Sequence, residues 1–163
     1  LAKTGMLRSA HMLGNEEEII FTATDLLADT KLAPELSNEA HYYRAKAYLD
    51  AGKTDGAMED LKILAKDTRN VYGAEAKYKV AQIYFDGGQT DKAEQEVLNY
   101  IEVSTPHTYW LARSFVLLAD VYMKLGRNLD AKQYLLSLKQ NYQADDDIAG
   151  MIESRLEKLK TEN

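Results

Sequence analysis

The sequence predicts an all-α fold, an α-α superhelix (solenoid) of antiparallel helix-turn-helix repeats, on three observations. Gly14, Gly52, Gly88 and Gly126 are separated by 38, 36 and 38 residues, so one period covers the chain. Small and apolar residues recur at fixed distances on both sides of these glycines, in helical stripes. Only two prolines and nine glycines punctuate 163 residues that are 45% hydrophobic and 28% charged, the balance of a soluble globular protein with short loops.

The register describes each repeat physically. Seven residues before the last three glycines stand Ala45, Ala81 and Ala119, and four before them stand Tyr48, Tyr84 and Tyr122. Ala40, Ala76 and Ser114, twelve before, extend that stripe along a first helix that must be buried on this side. Each glycine supplies a left-handed C′ residue that ends the first helix. A second helix follows, with Ala57, Ala93 and Ala131 five after the glycine, Leu61, Val97 and Leu135 nine after, and Leu64, Tyr100 and Leu138 twelve after. Alanines on both helices let the two backbones approach closely.

The first hairpin is in phase but weaker: Ala2 and Ala10 precede Gly14 at the small and aromatic positions, and Ile19, Ala23 and Leu26 follow it. Glu16, Glu17 and Glu18 fall in the first turn of its second helix, where the helix dipole favours negative charge. After the fourth hairpin, Asp145, Asp146 and Asp147 read as the N-cap and first turn of one more amphipathic helix carrying Ile148, Met151, Ile152, Leu156 and Leu159. The expected organisation is a single repeat domain over residues 1–163, with hairpins at about 1–34, 35–71, 72–107 and 108–143 and a capping helix at 145–161. With no initiator Met and an apolar first hairpin, the chain reads as part of a longer repeat protein, and that exposed N-terminal face is a candidate for self-association.

The chemistry of catalysis is absent from the sequence. No cysteine is present, so disulfides, thiolate metal sites and a cysteine nucleophile are excluded, while either a reducing or an oxidising compartment remains compatible. His11, His41 and His107 are too dispersed for a metal motif, and no HExxH occurs. Gly52-Lys53-Thr54 matches the end of a phosphate-binding loop, but Ala47 stands where the upstream glycine is required and no strand precedes it. No catalytic, metal or cofactor residues are therefore assigned, and the chain reads as a non-enzyme without a cofactor. A formal charge of −6 without a basic run disfavours nucleic acid, and no apolar stretch is long enough for direct membrane insertion.

The stretches Leu118 to Ala131 and Val80 to Ala93, with their small residue and Tyr late in one helix and Ala early in the next, resemble the tetratricopeptide repeat. The resemblance covers nearly the whole chain. It departs from the family pattern at His41, Lys77 and Phe115, which hold the Trp-like position, and in its long period. The phrase Tyr72-Gly73-Ala74-Glu75-Ala76 opening a first helix is similar to bacterial cell-envelope members of the family, implying a periplasmic or envelope-associated protein, with the cytoplasm as the alternative.

The resemblance implies that first helices line a concave groove for a protein or peptide. The positions facing it are Glu39, Tyr42, Lys46, Leu49 and Asp50, then Glu75, Tyr78, Gln82, Phe85 and Asp86, then Arg113, Val116, Asp120, Met123 and Lys124, with Arg8 and His11 from the first hairpin. Tyr42, Tyr78, Leu49, Phe85 and Met123 are not needed by the hairpin stripe, so removing Tyr42 and Tyr78 is expected to weaken binding without unfolding. The Lys, Asn and Arg clamp of chaperone-tail binders is lacking, with Thr4, Tyr42 and Tyr78 at the equivalent early positions. A protein-interaction scaffold is the leading expectation. An RNA-binding helical repeat and a regulatory domain appended to an enzyme are the alternatives.

Overall fold

Four glycines close four hairpin turns, and each lies in the left-handed region, with φ of 69°, 74°, 79° and 76° at Gly14, Gly52, Gly88 and Gly126. In every case the next residue donates its N–H five residues back, from Asn15 to Ala10, Lys53 to Tyr48, Gln89 to Tyr84 and Arg127 to Tyr122. The glycine itself donates three residues back, as Gly52 does to Leu49. This pair of bonds is the Schellman motif, which satisfies the last carbonyls of the helix and reverses the chain. The periodic glycines therefore set the periodic turns.

The computed structural model describes residues 2–161; Leu1, Glu162 and Asn163, the extreme ends of the expected repeat domain, lie outside the described residues. Among the described residues there are nine helices and no strand: α1 (Ala2–Leu13), α2 (Glu16–Leu27), α3 (Pro34–Asp50), α4 (Thr54–Leu64), α5 (Val71–Asp86), α6 (Thr90–Glu102), α7 (Thr108–Lys124), α8 (Asn128–Asn141) and α9 (Ile148–Thr161). The chain is an all-α helical repeat solenoid. Its internal contacts divide it into two compact units, Leu1–Lys77 and Tyr78–Asn163.

In the first unit α1 packs on α2, α2 on α3 and α3 on α4. Leu7, Ala10, Ile19, Ala23, Leu26, Ala40 and Ala47 form one buried cluster. Leu7, at 1% exposure, fills the position held by Ala45 in the next repeat, whereas Ala2, assigned by the register to a small buried position, is exposed in the first turn of α1. The Asn15 side chain accepts the Glu18 N–H at 3.1 Å and caps α2, leaving Glu16, Glu17 and Glu18 in the first turn. Pro34 occupies the N-terminal turn of α3, where its missing N–H is not required.

The small-residue stripe also places glycines. A Cβ on Gly73 would collide with the Asp67 backbone oxygen and come within 2.6 Å of the Leu64 oxygen. Gly73 thus lets the first turn of α5 approach the carbonyl end of α4. On Gly56 a Cβ would stand 3.1 Å from the Tyr48 ring, so this tyrosine packs across its own hairpin while its edge stays half-exposed.

In the second unit α6 packs on α7, α7 on α8, and α9 on both α7 and α8. Leu118, Ala119, Ala131 and Leu135 are fully buried, and Ile148, Ile152 and Leu159 of α9 join the same cluster. Asp145, Asp146 and Asp147 precede the first turn of α9, because Ile148 begins it. Asp146 accepts the Ile148 N–H at 3.0 Å and the Tyr142 hydroxyl at 2.6 Å. Burial and the Asp146 carboxylate push the Tyr142 phenol up to about 12, so it remains a neutral donor.

Candidate functional site

Helical spacing brings the residues assigned to the groove onto first helices, where they form a network in each unit. In the first unit Arg8 of α1 grips Glu39 of α3 with Nε at 2.6 Å and Nη2 at 2.9 Å. The hydrogen bond and charge of Arg8 hold the Glu39 carboxyl below its ordinary range despite burial. Glu39 is accordingly already neutralised. His11 stacks on Tyr43 at 4.2 Å, Tyr42 tilts against Tyr43 at 5.8 Å, and Tyr42 lies 4.5 Å from Tyr72.

Tyr42 is the centre of this face. Its hydroxyl donates to both oxygens of Glu75, at 3.0 and 3.1 Å, and accepts from the Lys46 amine at 3.3 Å. The same amine sits 5.1 Å from the Tyr42 ring centroid. Burial, then the Glu75 charge and hydrogen bond, push the phenol far above its ordinary value, so it acts only as a neutral relay. Glu75 is 9% exposed, and both of its carboxylate oxygens accept from the Tyr42 hydroxyl. Leu49 is half-buried and Asp50 exposed, farther along α3.

The second unit centres on Arg113 of α7. Its guanidinium donates to the Tyr78 hydroxyl at 2.9 Å and to the Tyr109 hydroxyl at 3.1 Å, and lies 4.8 Å from the Tyr78 ring. The Tyr109 hydroxyl donates to Asp147 at 2.9 Å, Tyr78 donates to Gln82 at 2.9 Å, and Gln82 donates to Asp86 at 2.7 Å. Aromatic hydroxyls therefore link a half-buried cation to carboxylates at both ends of the face.

Three assignments differ from the expectation. Glu75 is buried at 9% exposure, Tyr78 at 6% and Val116 at 3%, and the last two belong to the second unit's buried cluster. The reason is packing between neighbouring first helices: the Tyr78 ring lies 5.6 Å from Trp110 of α7 and beneath the Arg113 guanidinium. Tyr78 is thus a core aromatic with a polar tip.

Phe85, Asp120, Met123 and Lys124 line an open pocket of about 600 Å³, whose other wall is Ser154, Arg155 and Lys158 of α9. Arg155 clasps Asp120 with Nε at 2.7 Å and Nη2 at 2.9 Å. The sequence assigns α9 a capping role alone, and the structure adds its polar side as a wall of this pocket. That helix lies outside the repeat period, so no register position pointed to its polar side. Tyr43, Tyr72 and Tyr109 were also missed, although Tyr109 and Arg113 stand one helical turn apart.

Another network sits inside the first unit. Asp60 of α4, 1% exposed, accepts from Arg44 of α3 and pairs with the His41 Nδ1 at 2.7 Å. His41, the departure from the family's aromatic position, is therefore a structural polar anchor. Among the described residues no group of three His, Asp or Glu side chains is arranged to hold a metal ion, and no helix is long and apolar enough to cross a membrane.

Tetratricopeptide repeat family models match residues 39–67 and 112–141. The chain thus carries tetratricopeptide repeats at these two stretches, the repeat of helical protein-interaction scaffolds that are typically non-catalytic. Among solved structures it is similar to the crystal structure of MamA, at 20% identity, with 96% of each chain covered and a TM-score of 0.63. It is also similar to a Podosopora anserina protein described as a kinesin light chain with nearly identical TPR-like repeats. One crystal structure of that protein shares 15% identity, 98% of this chain and 92% of that one being covered, with a TM-score of 0.61. At these identities the likeness is one of fold. No curated protein matches the sequence.

Proposed function

We propose that this protein holds a peptide or protein segment against the first-helix faces of its hairpins. The observation that carries the reading is the half-exposed apolar series Leu49, Phe85 and Met123, set beside Lys46, Asp50, Asp86 and Lys124; Phe85 and Met123 back onto the second unit's core and leave part of their apolar surface open. Apolar anchors ringed by charges are the composition of a recognition surface. The Tyr42 and Arg113 networks hold these faces rigid, which lowers the ordering cost of binding.

The test is affinity capture from the source cell with the intact chain and with Leu49→Glu, Phe85→Glu and Met123→Glu variants, each checked by thermal melting. A partner lost from the variants at unchanged melting temperature supports the reading. Capture indifferent to all three substitutions overturns it. Membership of a bacterial envelope assembly is supported only by the Tyr72 to Ala76 phrase, and cell fractionation with an antibody decides that point.

A second reading, self-association, is favoured by α1. Met6 and Leu13 are 53% and 83% exposed and line a shallow depression with Ala2, Gly5 and Ala10. Light scattering of the wild type against Leu13→Lys over a concentration series tests it: a wild type that stays monomeric throughout refutes self-association.

A further inference from the structure

We infer that the pocket between α5, α7 and α9 takes an acidic peptide segment carrying one apolar anchor. The inference rests on the peptide-holding reading and gives one of its surfaces a ligand chemistry. Phe85 and Met123 are half-buried, packed from behind on the second unit's core, and present their remaining apolar surface to the pocket. About 600 Å³ accommodates a leucine-sized side chain with its flanking backbone. Met123 can adjust its rotamers to the anchor.

Around that apolar floor stand three cations and one carboxylate. Asp120 is consumed by Arg155, which takes both of its oxygens and is itself pinned by donating to the Met151 carbonyl at 3.1 Å. Lys124 and Lys158 remain, both exposed, and neither amine has an ion-pair partner among the described residues. The acidic residues on the rest of α9 do not reach them, since Glu153 pairs with Lys139 at 2.6 Å and Glu157 with Lys160 at 3.7 Å. The pocket is thus locally positive in a chain whose formal charge is −6.

A plainer account places both lysines near helix C-termini, where cations offset the dipole. It accounts for each lysine separately. It does not account for two unpaired amines flanking one apolar floor, an arrangement complementary to carboxylates on either side of an apolar side chain.

The test uses the full chain and three fluorescein-labelled nonapeptides of otherwise identical sequence, with Glu-Leu-Glu, Lys-Leu-Lys or Glu-Ser-Glu at the centre, read by fluorescence anisotropy. The expected result is salt-sensitive binding of the Glu-Leu-Glu peptide, weaker by roughly tenfold or more for each of the other two. Lys124→Glu/Lys158→Glu should abolish that preference at an unchanged melting temperature, since both side chains are exposed. Equal binding of the three peptides, no binding, or a preference that survives the double variant overturns the inference. Displacement of the peptide by inorganic phosphate alone, with the Glu-Ser-Glu peptide binding equally, also overturns it, leaving an anion site without an anchor. Failure here, with capture still sensitive to Leu49→Glu, leaves the peptide-holding reading standing; loss of both removes it.

Discussion

Arg44 holds Asp60 by two hydrogen bonds, Nε to Oδ2 at 2.9 Å and Nη2 to Oδ1 at 2.7 Å, and a third donor of the same guanidinium reaches Thr24 at 3.1 Å. One arginine thereby ties α2, α3 and α4. Burial pushes the Asp60 carboxyl up, but hydrogen bonds from His41 and Arg44 and the Arg44 charge outweigh it, and the carboxyl lies below its ordinary range. A carboxyl lowered by folding contributes stability above its unfolded value, near pH 4, and loses it as pH falls through the folded one. Asp60→Ala should cost about 3 kcal/mol at neutral pH, because Arg44 and His41 are left without their partner. Asp60→Asn should flatten the acid limb of urea-unfolding stability measured from about pH 7 to about pH 3. An acid limb identical to wild type would show that the pair does not control this window.

Gly73 and Gly150 give opposite expectations for the same substitution. A Cβ on Gly73 meets backbone oxygens of Leu64 and Asp67, so Gly73→Ala must separate α5 from α4 and should cost about 1–3 kcal/mol. Gly150, in α9, has nothing within 4 Å of such a Cβ, and Gly150→Ala should stabilise by about 0.5–1 kcal/mol through helix propensity. Chemical denaturation of both variants reads the signs directly. A neutral Gly73→Ala would mean that the close approach is dispensable.

Tyr42 and Tyr78 occupy the same register position but should answer differently to truncation. Tyr78→Ala empties a site in the core and should lower stability by about 3 kcal/mol, whereas Tyr78→Phe keeps the packing and loses the Arg113 and Gln82 bonds. Tyr42→Phe leaves the Glu75 carboxylate and the Lys46 amine without their shared hydroxyl, for a loss of about 1 kcal/mol. Joint replacement cannot then serve as a pure binding test. Melting temperatures that do not separate Tyr78→Ala from Tyr42→Phe would restore the two tyrosines to one class.

The repeat was legible because its signals are local and periodic: Gly14 to Gly126 mark turns that require positive φ, and Ala57, Ala93 and Ala131 mark a contact too close for larger side chains. The polar networks were not, since each joins helices far apart in sequence. Nothing in the register of Arg8 announces Glu39, and Asp60 reads as one more solvated charge until α3 supplies His41 and Arg44. The burial of Tyr78 was hidden for the same reason, because its cover comes from Trp110 in the next repeat. The basic wall of α9 was missed because a helix used only once has no period to align.

The last expectation concerns α9 as a cap. Ile148, Ile152 and Leu159 are 1%, 2% and 4% exposed and belong to the second unit's core, while Glu153, Glu157 and Lys160 face outward. A helix that is apolar on one side and polar on the other can cover the open face of the hairpin before it. Ile152→Asp places a charge in that interface and should cost about 3 kcal/mol or more. Deletion of residues 145–163 exposes the α7 and α8 surface that the helix covers, and should lower the melting temperature and cause aggregation. Thermal melting followed by light scattering reads both effects. Arg155→Lys, which alters the Asp120 clasp and the bond to the Met151 carbonyl on the rim of the pocket, should leave the protein monomeric and folded, separating the pocket wall from the cap. A truncated chain that stays monomeric at an unchanged melting temperature would remove the capping role and leave α9 solely as the wall of the acidic-peptide pocket.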